Sequence, residues 1–273
     1  AIYTFRSDVS EVRLTFSVVD QNHHGVASLQ AGDVVVVDKD IIVRKFQSFT
    51  RTDWTKRELA ILIDSSASAT PHFRQELADV VGLVAQTAGI PDENLSIFSF
   101  QDQKPTLLCA GACRANRPLP ETRASGLTPL FDTIVFAAEF LSHRGDALTQ
   151  RVLIVFSDGA DTISRHSLRD AIDAALQSEI QIESVDLNRA SYSPSAAALR
   201  SLANSTGGRY YPPPGGAAQA LNLILEGLQA SYTVSYRIPS RDLGFHNVAV
   251  FPTRNLNLQF RSRSGYYISN QIH

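Results

Sequence analysis

The chain has 273 residues and a formal net charge of −2, with 44% apolar and 19% charged residues. This balance is typical of a folded protein with a sizeable core, and the length suits one large domain or two modest ones. A charge so close to zero creates no global field that would attract nucleic acid or an anionic membrane, so we expect no nucleic-acid partner. No apolar run approaches the ~20 residues that span a bilayer, and no charged-then-apolar leader begins at Ala1. We therefore expect no membrane span and no retained signal peptide.

The first zone of the chain, residues 11–49, alternates apolar and polar residues over short stretches. The alternation is clearest over residues 12–18, where it predicts a strand with one buried face. Residues 34–37 and 41–46 predict two further strands. Only the polar stretch 38–40 separates these two, so we expect a tight hairpin between them.

The middle zone, residues 58–230, changes to apolar runs of strand length that alternate with amphipathic segments of helix length. Residues 59–63 are all apolar, as expected for a strand that is buried on both faces of a parallel sheet. The alternation predicts an α/β fold with a doubly wound, mostly parallel, Rossmann-like sheet. The predicted strands are residues 59–63, 95–100, 152–156, 180–185 and a short one near Tyr210, and the predicted helices are residues 73–86, 130–141, 168–177, 195–203 and 217–228.

After Ser231 the pattern of short strands returns. Neither end of the chain has enough strands for a sandwich of its own, but together they amount to the ~100 residues of an immunoglobulin-like domain. We therefore expect residues 1–57 and 231–273 to form one β-sandwich, into which the α/β domain of residues 58–230 is inserted. The alternative is a pair of unrelated β-extensions packed on the α/β domain. The predicted C-terminal strands are residues 232–236, 248–251, 256–260 and 266–268.

The two cysteines of the chain, Cys109 and Cys113, flank an Ala-Gly-Ala segment. The central glycine would let the chain curl tightly enough for a small disulfide. Two free thiols in a loop are the alternative, because spacing alone does not fix the geometry of a disulfide. No second pair of Cys or His residues lies at ligand spacing, so we expect no structural zinc site here.

Three separated segments of the middle zone carry side-chain oxygens at the ends of predicted strands or at the start of a predicted helix. Residues 64–68 follow one strand directly, residues 156–161 include the end of a second strand, and residues 126–132 open a helix. Ligand sites of open parallel sheets form beyond the carboxyl ends of the strands. If the two strands are neighbours, five side chains converge at that edge, namely Asp64, Ser66, Ser68, Thr128 and Asp158.

Two carboxylates and three hydroxyls form a donor set that suits a hard divalent cation. Mg²⁺ takes about six oxygen ligands and tends to keep some waters, so at least one coordination position would stay open. We expect Mg²⁺, with Mn²⁺ or Ca²⁺ as alternatives. A metal with so few charged ligands stays electrophilic, which makes a partner's carboxylate an attractive further ligand. No histidine adjoins these segments in sequence, which argues against a zinc hydrolase centre.

The pattern Asp-x-Ser-x-Ser, a distant Thr and a later Ser-Asp-Gly resembles the metal-ion-dependent adhesion site of von Willebrand factor A-type domains. All five positions of that site are filled in this sequence. Residues 127–132 resemble the family's Gly-Thr-x-Leu-x-Asp segment, with Leu127 in place of the usual glycine. Ala69 stands where many members carry methionine. The resemblance implies a Rossmann-like domain that binds a divalent metal through these five residues.

The flanks resemble those of a bacterial group of von Willebrand factor A-related proteins. They share the extended N-terminal segment, a Tyr-x-Val-x-Tyr motif at residues 232–236 and an Arg-x-Gly-Tyr motif at residues 263–266. This resemblance covers nearly the whole chain. It implies an exported protein, either secreted or periplasmic.

Further charged residues near these motifs have simpler interpretations. Asp132 and Asp161 lie close to predicted helix starts, where a carboxylate favours the helix dipole, so we expect a capping role for them. His166 is expected at the surface. Arg261 and Arg263 occupy alternate positions, which predicts a solvated strand face.

The function that these observations favour is metal-dependent binding of a protein, in adhesion or assembly, with an Asp or Glu of the partner completing the coordination. We expect no catalysis, because no nucleophile–base pair is evident. A structural module rigidified by its metal is one alternative. A metal-assisted hydrolase with Asp161 as its base is the weaker one. The sequence does not identify the partner, and it leaves the oligomeric state open.

Overall fold

The computed structural model describes residues 11–21, 25–52, 57–69, 78–80, 82, 91–102, 104–111, 113, 124–188, 195–212, 216–254 and 257–268. The predicted helix 73–86 lies outside this set apart from residues 78–80 and 82, which are helical. The described residues contain fourteen strands and four longer helices.

The strands are β1 (Glu11–Val19), β2 (Val34–Asp38), β3 (Ile41–Val43), β4 (Ser48–Arg51), β5 (Arg57–Asp64), β6 (Leu95–Phe100), β7 (Thr106–Ala110), β8 (Gln150–Ser157), β9 (Ile180–Asp186), β10 (Tyr210–Tyr211), β11 (Ser231–Arg237), β12 (Gly244–Pro252), β13 (Gln259–Ser262) and β14 (Gly265–Ile268). The helices are α1 (Leu130–Ser142), α2 (Leu168–Gln177), α3 (Ala196–Thr206) and α4 (Gly216–Gln229).

A central six-stranded sheet has the order β10-β9-β8-β5-β6-β7. Its strands pair in parallel except at one edge, where β7 runs antiparallel to β6. Every residue of β5 is buried, because this strand lies inside a sheet that is covered on both faces. The predicted mostly parallel α/β sheet is therefore confirmed. Strand β7 was not predicted, since most of its residues are at least partly exposed and it lacks a long apolar run.

Helices pack on both faces of this sheet, as a doubly wound fold requires. On one face Leu221 of α4 belongs to the same apolar cluster as Ile61 of β5. On the other face Ile134 of α1 and Leu199 of α3 cluster with Leu62. Consecutive residues of a strand point to opposite faces, so the uninterrupted apolar sequence of β5 contributes to both layers of the core.

The strands from the two ends of the chain pair with one another in two further sheets. One sheet has the order β13-β1-β11-β4 and the other has the order β14-β12-β2-β3. Each sheet therefore contains strands from before and after the α/β domain. A single apolar cluster includes Leu14 of β1, Val36 of β2, Val234 of β11 and Val250 of β12, so side chains of both sheets share one core.

The predicted hairpin between β2 and β3 is present. Lys39 and Asp40 have φ angles of 48° and 68°, which fits the two-residue turn with positive φ at both positions that joins twisted strands. The second strand ends at Val43, earlier than the predicted residue 46. The chain then leaves this sheet and forms β4 in the other one.

The prediction of a solvated face for Arg261 and Arg263 is wrong, because both residues are half-buried. The Arg263 guanidinium donates to Glu179 Oε1 at 2.9 Å and to the carbonyl oxygen of Arg13 at 2.7 Å. The contact with Glu179 joins the turn between β13 and β14 to the α/β domain, and the contact with Arg13 joins this turn to β1. Sequence alternation could not show that this face of the strand packs against another domain.

Cys109 of β7 and Cys113 form a disulfide, with their Cα atoms 5.3 Å apart. This resolves the alternative that the sequence left open. Cys113 is buried in the apolar cluster that also contains α4. The bond therefore fixes the segment after the antiparallel edge strand to the core of the α/β domain.

Candidate metal centre

The candidate site begins where two neighbouring parallel strands end. Strands β5 and β8 pair so that Ile63 lies opposite Phe156. Asp64 ends β5, and Asp158 follows the last residue of β8. The expected adjacency of these strands is therefore present, and both carboxylates lie at the carboxyl edge of the sheet, where ligand sites of open α/β sheets form.

Asp64 is the most deeply placed carboxylate of the site. It is 0% exposed, and its Oδ1 accepts a hydrogen bond from the Ser66 N–H at 2.9 Å. Its Oδ2 accepts one from Ser157 Oγ at 2.7 Å. Burial raises the pKa of the Asp64 carboxyl above its usual 3.8, the negative charge of Asp158 adds to this rise, and the hydrogen bonds from Ser157 and Ser66 oppose it.

The loop after β5 presents the two serines of the motif. Ser66 is buried and Ser68 is exposed, in a short 3₁₀ turn at Ala67–Ala69. Their hydroxyl oxygens lie 3.1 Å apart and share a hydrogen bond. Ser65 anchors the loop, because both its N–H and its hydroxyl donate to the carbonyl oxygen of Phe100 at 3.0 Å.

Backbone hydrogen bonds bring the Thr128 segment beside this loop. The Ala67 N–H donates to the carbonyl oxygen of Gly126 at 3.1 Å, and the Ser125 N–H donates to that of Ser65 at 2.9 Å. Thr128 itself is buried, and its N–H donates to Thr162 Oγ1 at 2.7 Å. In the described part of the chain no hydrogen bond joins the Thr128 hydroxyl to the other four predicted ligands. The backbone alone places it at the site.

Gly126 has a conformation and surroundings that suit no other residue. Its φ angle is +76°, and a Cβ atom there would lie 2.0 Å from Asp102 Oδ1. The same Asp102 oxygen accepts the Leu127 N–H at 3.0 Å, while the Asp102 N–H donates to the carbonyl oxygen of Leu127 at 2.8 Å. Asp102 thus fixes the residue that precedes Thr128.

Asp158 is the more open of the two carboxylates, being half-buried. Its Oδ1 accepts the Ala160 N–H at 2.9 Å, and its carbonyl oxygen accepts Ser195 Oγ at 2.8 Å. Asp64 and Asp158 are close enough for electrostatic repulsion. The structure therefore brings together Asp64, Ser66, Ser68 and Asp158, with Thr128 held on an adjoining segment.

Of the two acidic residues that were expected to cap helices, Asp161 caps the start of α1, whereas Asp132 in the first turn of α1 binds the loop that precedes α2. Asp161 Oδ1 accepts the N–H of Phe131 in the first turn of α1 at 3.2 Å. Asp132 Oδ1 accepts the backbone N–H of His166 at 2.9 Å and lies 2.7 Å from its Nδ1. His166 is exposed, as predicted. These contacts fasten the loop after Asp158 to the start of α1.

The residues fit a divalent cation. No Lys, Arg or His of the described residues forms an ion pair with Asp64 or Asp158, so two neighbouring carboxylates, one of them fully buried, lack a positive partner there. Burying such a pair of negative charges costs free energy of folding unless a cation balances them. The described residues contain no cluster of three or more His, Cys, Asp and Glu side chains that could hold a metal. A cation here would therefore depend on hydroxyl oxygens for the rest of its ligands.

Two positioning residues were not singled out from the sequence. Ser157 holds Asp64 from the neighbouring strand and also accepts the Gly159 N–H at 3.0 Å. Its place directly before Asp158 was a usable signal, because parallel strands align their ends. Asp102 carries no such signal, since its contact with Leu127 depends on how two distant loops meet.

No protein-family model and no curated protein sequence matches the chain, but solved structures match its fold. Proximal thread matrix protein 1 from the mussel byssus aligns with a TM-score of 0.50 and 12% identity, over 66% of this chain and 49% of that one. The chain thus spans about half the length of the mussel protein.

Other matches carry von Willebrand factor A names or a bound metal in their descriptions. A von Willebrand factor type A protein from Catenulispora acidiphila aligns at 12% identity over 98% of this chain and 76% of its own, with a TM-score of 0.47. The manganese-loaded TRAP protein of Plasmodium vivax aligns at 12% identity over 86% and 99%, with a TM-score of 0.49. At such identities and TM-scores these matches say only what the chain is similar to, and the α/β fold stands on its own sheet and helices.

Proposed function

We propose that this protein is a metal-dependent protein-binding module of the von Willebrand factor A type, acting in adhesion or assembly. Asp64, Ser66, Ser68, Thr128 and Asp158 would hold the cation, with Mg²⁺ the first candidate and Mn²⁺ or Ca²⁺ the alternatives. A carboxylate of the partner, from Asp or Glu, would complete the coordination. The observation that carries the proposal is the buried Asp64, which faces Asp158 with no basic partner among the described residues.

The hydrogen bonds of the site leave its oxygens able to serve a cation. Asp64 Oδ1 accepts the Ser66 N–H and Asp64 Oδ2 accepts the Ser157 hydroxyl, and a carboxylate oxygen has a second lone pair for a metal. The Ser66 and Ser68 hydroxyls bond to each other, and the Ser66 side chain also forms a hydrogen bond with the Asp64 carboxylate. A bound cation would supply an electrophilic centre, while Ser68 and Asp158, which are at least partly exposed, would lie on the side open to a partner.

We propose binding rather than catalysis as the role of the site. Around it, within the described residues, no serine or cysteine is hydrogen-bonded to a histidine. Asp161, the acid that could serve a hydrolase as base, accepts hydrogen bonds from the Phe131 N–H and from Ser164 Oγ at 2.5 Å. It is thereby engaged in the start of α1.

We also propose that the two outer sheets form a β-sandwich, with the α/β domain of residues 58–230 inserted between residues 1–57 and 231–273. Their interleaved strands and common apolar cluster support this. An extracytoplasmic location, secreted or periplasmic, is proposed from the Cys109–Cys113 disulfide, since such bonds persist in oxidising compartments. In the described part of the chain, no helix is both long enough and apolar enough to cross a membrane.

The test starts from EDTA-stripped protein titrated calorimetrically with Mg²⁺ and Mn²⁺, beside Asp64→Ala. We expect saturable binding in the wild type and none in the variant, with both proteins folded by circular dichroism. Folded wild-type protein that binds neither ion would contradict the metal site.

A second measurement separates partner binding from a purely structural metal. Water-proton relaxation by protein-bound Mn²⁺ reports exchangeable coordination positions, and acetate serves as the probe for a partner's carboxylate. We expect acetate to lower the relaxation enhancement. If the metal raises the melting temperature and acetate changes nothing, the structural alternative is correct.

A further inference from the structure

A second surface on this protein lies where β12 separates from the chain segment that forms β13 and β14. Strand β12 pairs with β14 from Gly244 opposite Ile268 to Asn247 opposite Gly265. One further bond, from the Val248 N–H to the carbonyl oxygen of Ser264 at 2.9 Å, ends this pairing. Beyond it the chain segment that contains β13 belongs to the other sheet, where it pairs with β1. β12 and β13 therefore diverge from a common corner.

Within the part of the chain that the structure describes, the divergence leaves backbone hydrogen-bonding groups on β12 without a neighbouring strand. Val248 directs its N–H away from β2, whereas the carbonyl oxygen of Asn247 accepts the Lys39 N–H on the β2 side. Alternate residues of a strand direct their backbone groups to the same side. The N–H and carbonyl of Val250 therefore also face away from β2, toward β13.

Among the described residues no strand pairs with the facing edge of β13 either, although Gly207 of the turn after α3 packs against its Ser262 end. The Val18 N–H of β1 bonds to the carbonyl oxygen of Ala230, on the β11 side, so Ser17 and Val19 direct their backbone groups to β13. Their partners there are Arg261 and Gln259. The intervening residues of β13, among them Ser262, must then present N–H and carbonyl groups to the side away from β1. Continuing the β12–β14 register places Ser262 opposite Val250.

An open groove of about 520 Å³ occupies the space between these two edges. Its walls include Val250 and Phe251 of β12 and Phe260 and Arg261 of β13, and the turn after α3 borders it. Phe251 is 48% exposed. Exposed strand edges are normally blunted or covered, because an extended chain can pair with them.

The charge of the groove favours an acidic occupant. Arg261 is half-buried, and within the described residues it makes no ion pair. A second arginine, Arg209, is close enough to repel it, and the nearby carboxylate is that of Glu183. Glu183 is buried and already accepts hydrogen bonds from Gln181 Nε2 and the Arg209 N–H. The Arg261 guanidinium is thus available to an incoming carboxylate.

We propose that this groove binds an extended peptide segment of a partner protein. The segment adds as a strand along the edge of β13, with Val250 on its other side, and places an acidic side chain near Arg261. Main-chain hydrogen bonds supply affinity in this mode, and pockets for alternate side chains supply selectivity. The surface is separate from the candidate metal centre and requires no cation.

The test uses the full chain and a fluorescein-labelled hexapeptide of alternating valine and threonine with one central glutamate. We expect saturable fluorescence anisotropy that is unchanged by EDTA. Ser262→Pro removes the N–H that faces the groove and should weaken binding at least tenfold, whereas Ser262→Ala keeps the N–H and should bind as the wild type does. Arg261→Gln should weaken the glutamate probe and leave a glutamine version of the probe unaffected.

Amide hydrogen exchange provides an independent measurement on the wild-type chain, which does not depend on how a proline variant folds. Bound probe should slow exchange at Val250 and Ser262, and leave the amides of β3, on the opposite edge of its sheet, unchanged. The proposal is overturned if the wild type shows no binding of the probe at a concentration of about 1 mM, which corresponds to weak affinity. It is equally overturned if bound probe leaves Val250 and Ser262 unprotected, or if folded Ser262→Pro binds as tightly as Ser262→Ala.

Discussion

Ser157 Oγ donates a 2.7 Å hydrogen bond to Asp64 Oδ2 across two neighbouring parallel strands. The contact is buried, and it fixes the orientation of the innermost carboxylate of the candidate site. Its neighbour Asp158 lies on the same segment as the donor. One short sequence, Ser157-Asp158, therefore both orients one candidate ligand and supplies another.

Removing this hydrogen bond should weaken metal binding without unfolding the protein. We expect Ser157→Ala to lower the affinity for Mn²⁺ about 10- to 100-fold, the usual effect of losing a partner that orients a metal ligand. Calorimetric titration measures it. Ser184→Ala is the matched control, because the Ser184 hydroxyl is also buried on an adjacent strand but has no hydrogen-bond partner among the described residues. Equal affinity of Ser157→Ala and wild type would show that Asp64 needs no such support.

The Gly126 position should tolerate no side chain. In Gly126→Ala the added Cβ would meet the Asp102 carboxylate in a backbone conformation with φ of +76°. We expect a loss of about 1–3 kcal/mol in the free energy of unfolding, and weaker metal binding because the Thr128 segment must move. Urea denaturation and Mn²⁺ titration measure the two effects. Gly32→Ala, where a Cβ would meet nothing within 4 Å, should change neither.

The buried Glu183 should make stability depend on pH. Burial raises the pKa of its carboxyl above the usual 4.5, against the opposing hydrogen bonds from Gln181 and the Arg209 N–H. The folded state therefore holds this proton more tightly than the unfolded state does. The stabilisation is present below pH 4.5 and is lost as pH rises through the folded pKa.

Glu183→Gln removes this titration and isolates it from that of Asp64, whose pKa is also raised. We expect the free energy of unfolding of the wild type, relative to the variant, to fall as pH rises from 4 to about 7. Urea unfolding at several pH values measures the difference. A difference that stays constant, or rises with pH, would contradict the assignment.

Reduction of the disulfide should destabilise the protein modestly. Cys109 and Cys113 are separated by only four positions, and the chain-entropy relation for so small a loop gives about 2 kcal/mol. Urea unfolding with and without a phosphine reductant measures it. The chain has only these two cysteines, so a variant with serine at both positions should not respond to the reductant. An unchanged unfolding curve in the wild type would show that the bond constrains little.

The central sheet was predictable because a strand that is buried on both faces needs apolar residues at consecutive positions, which gives an uninterrupted apolar run. Residues 59–63 and 152–156 were found for this reason, and parallel pairing then required Asp64 and Asp158 to end at one edge. Helix α2 has the bounds that its amphipathic pattern predicted, and in the structure Ser167 and Asp170 form a capping box at its start.

Features that depend on contacts between distant segments were not predictable in this way. Strand β7 is short and largely exposed, so its residues show no strong pattern. The burial of Arg263 follows from its contact with Glu179 on another domain. The clamp of Asp102 on Leu127 depends on two loops that meet only in the folded chain. Periodicity describes one element at a time and contains no information about such partners.

The interleaving of the chain ends has a consequence for how the protein is made. Strand β1 pairs Glu11 with Arg237 of β11 and Phe16 with Ser262 of β13. At ribosomal rates of about 5–20 residues per second, β1 is synthesised on the order of ten seconds or more before these partners exist. The α/β domain can meanwhile assemble from strands that are near in sequence. Until β11 and β13 have been synthesised, the backbone edges of β1 lack both strands that pair with them, which makes the nascent chain a natural client for a chaperone that shields exposed strands.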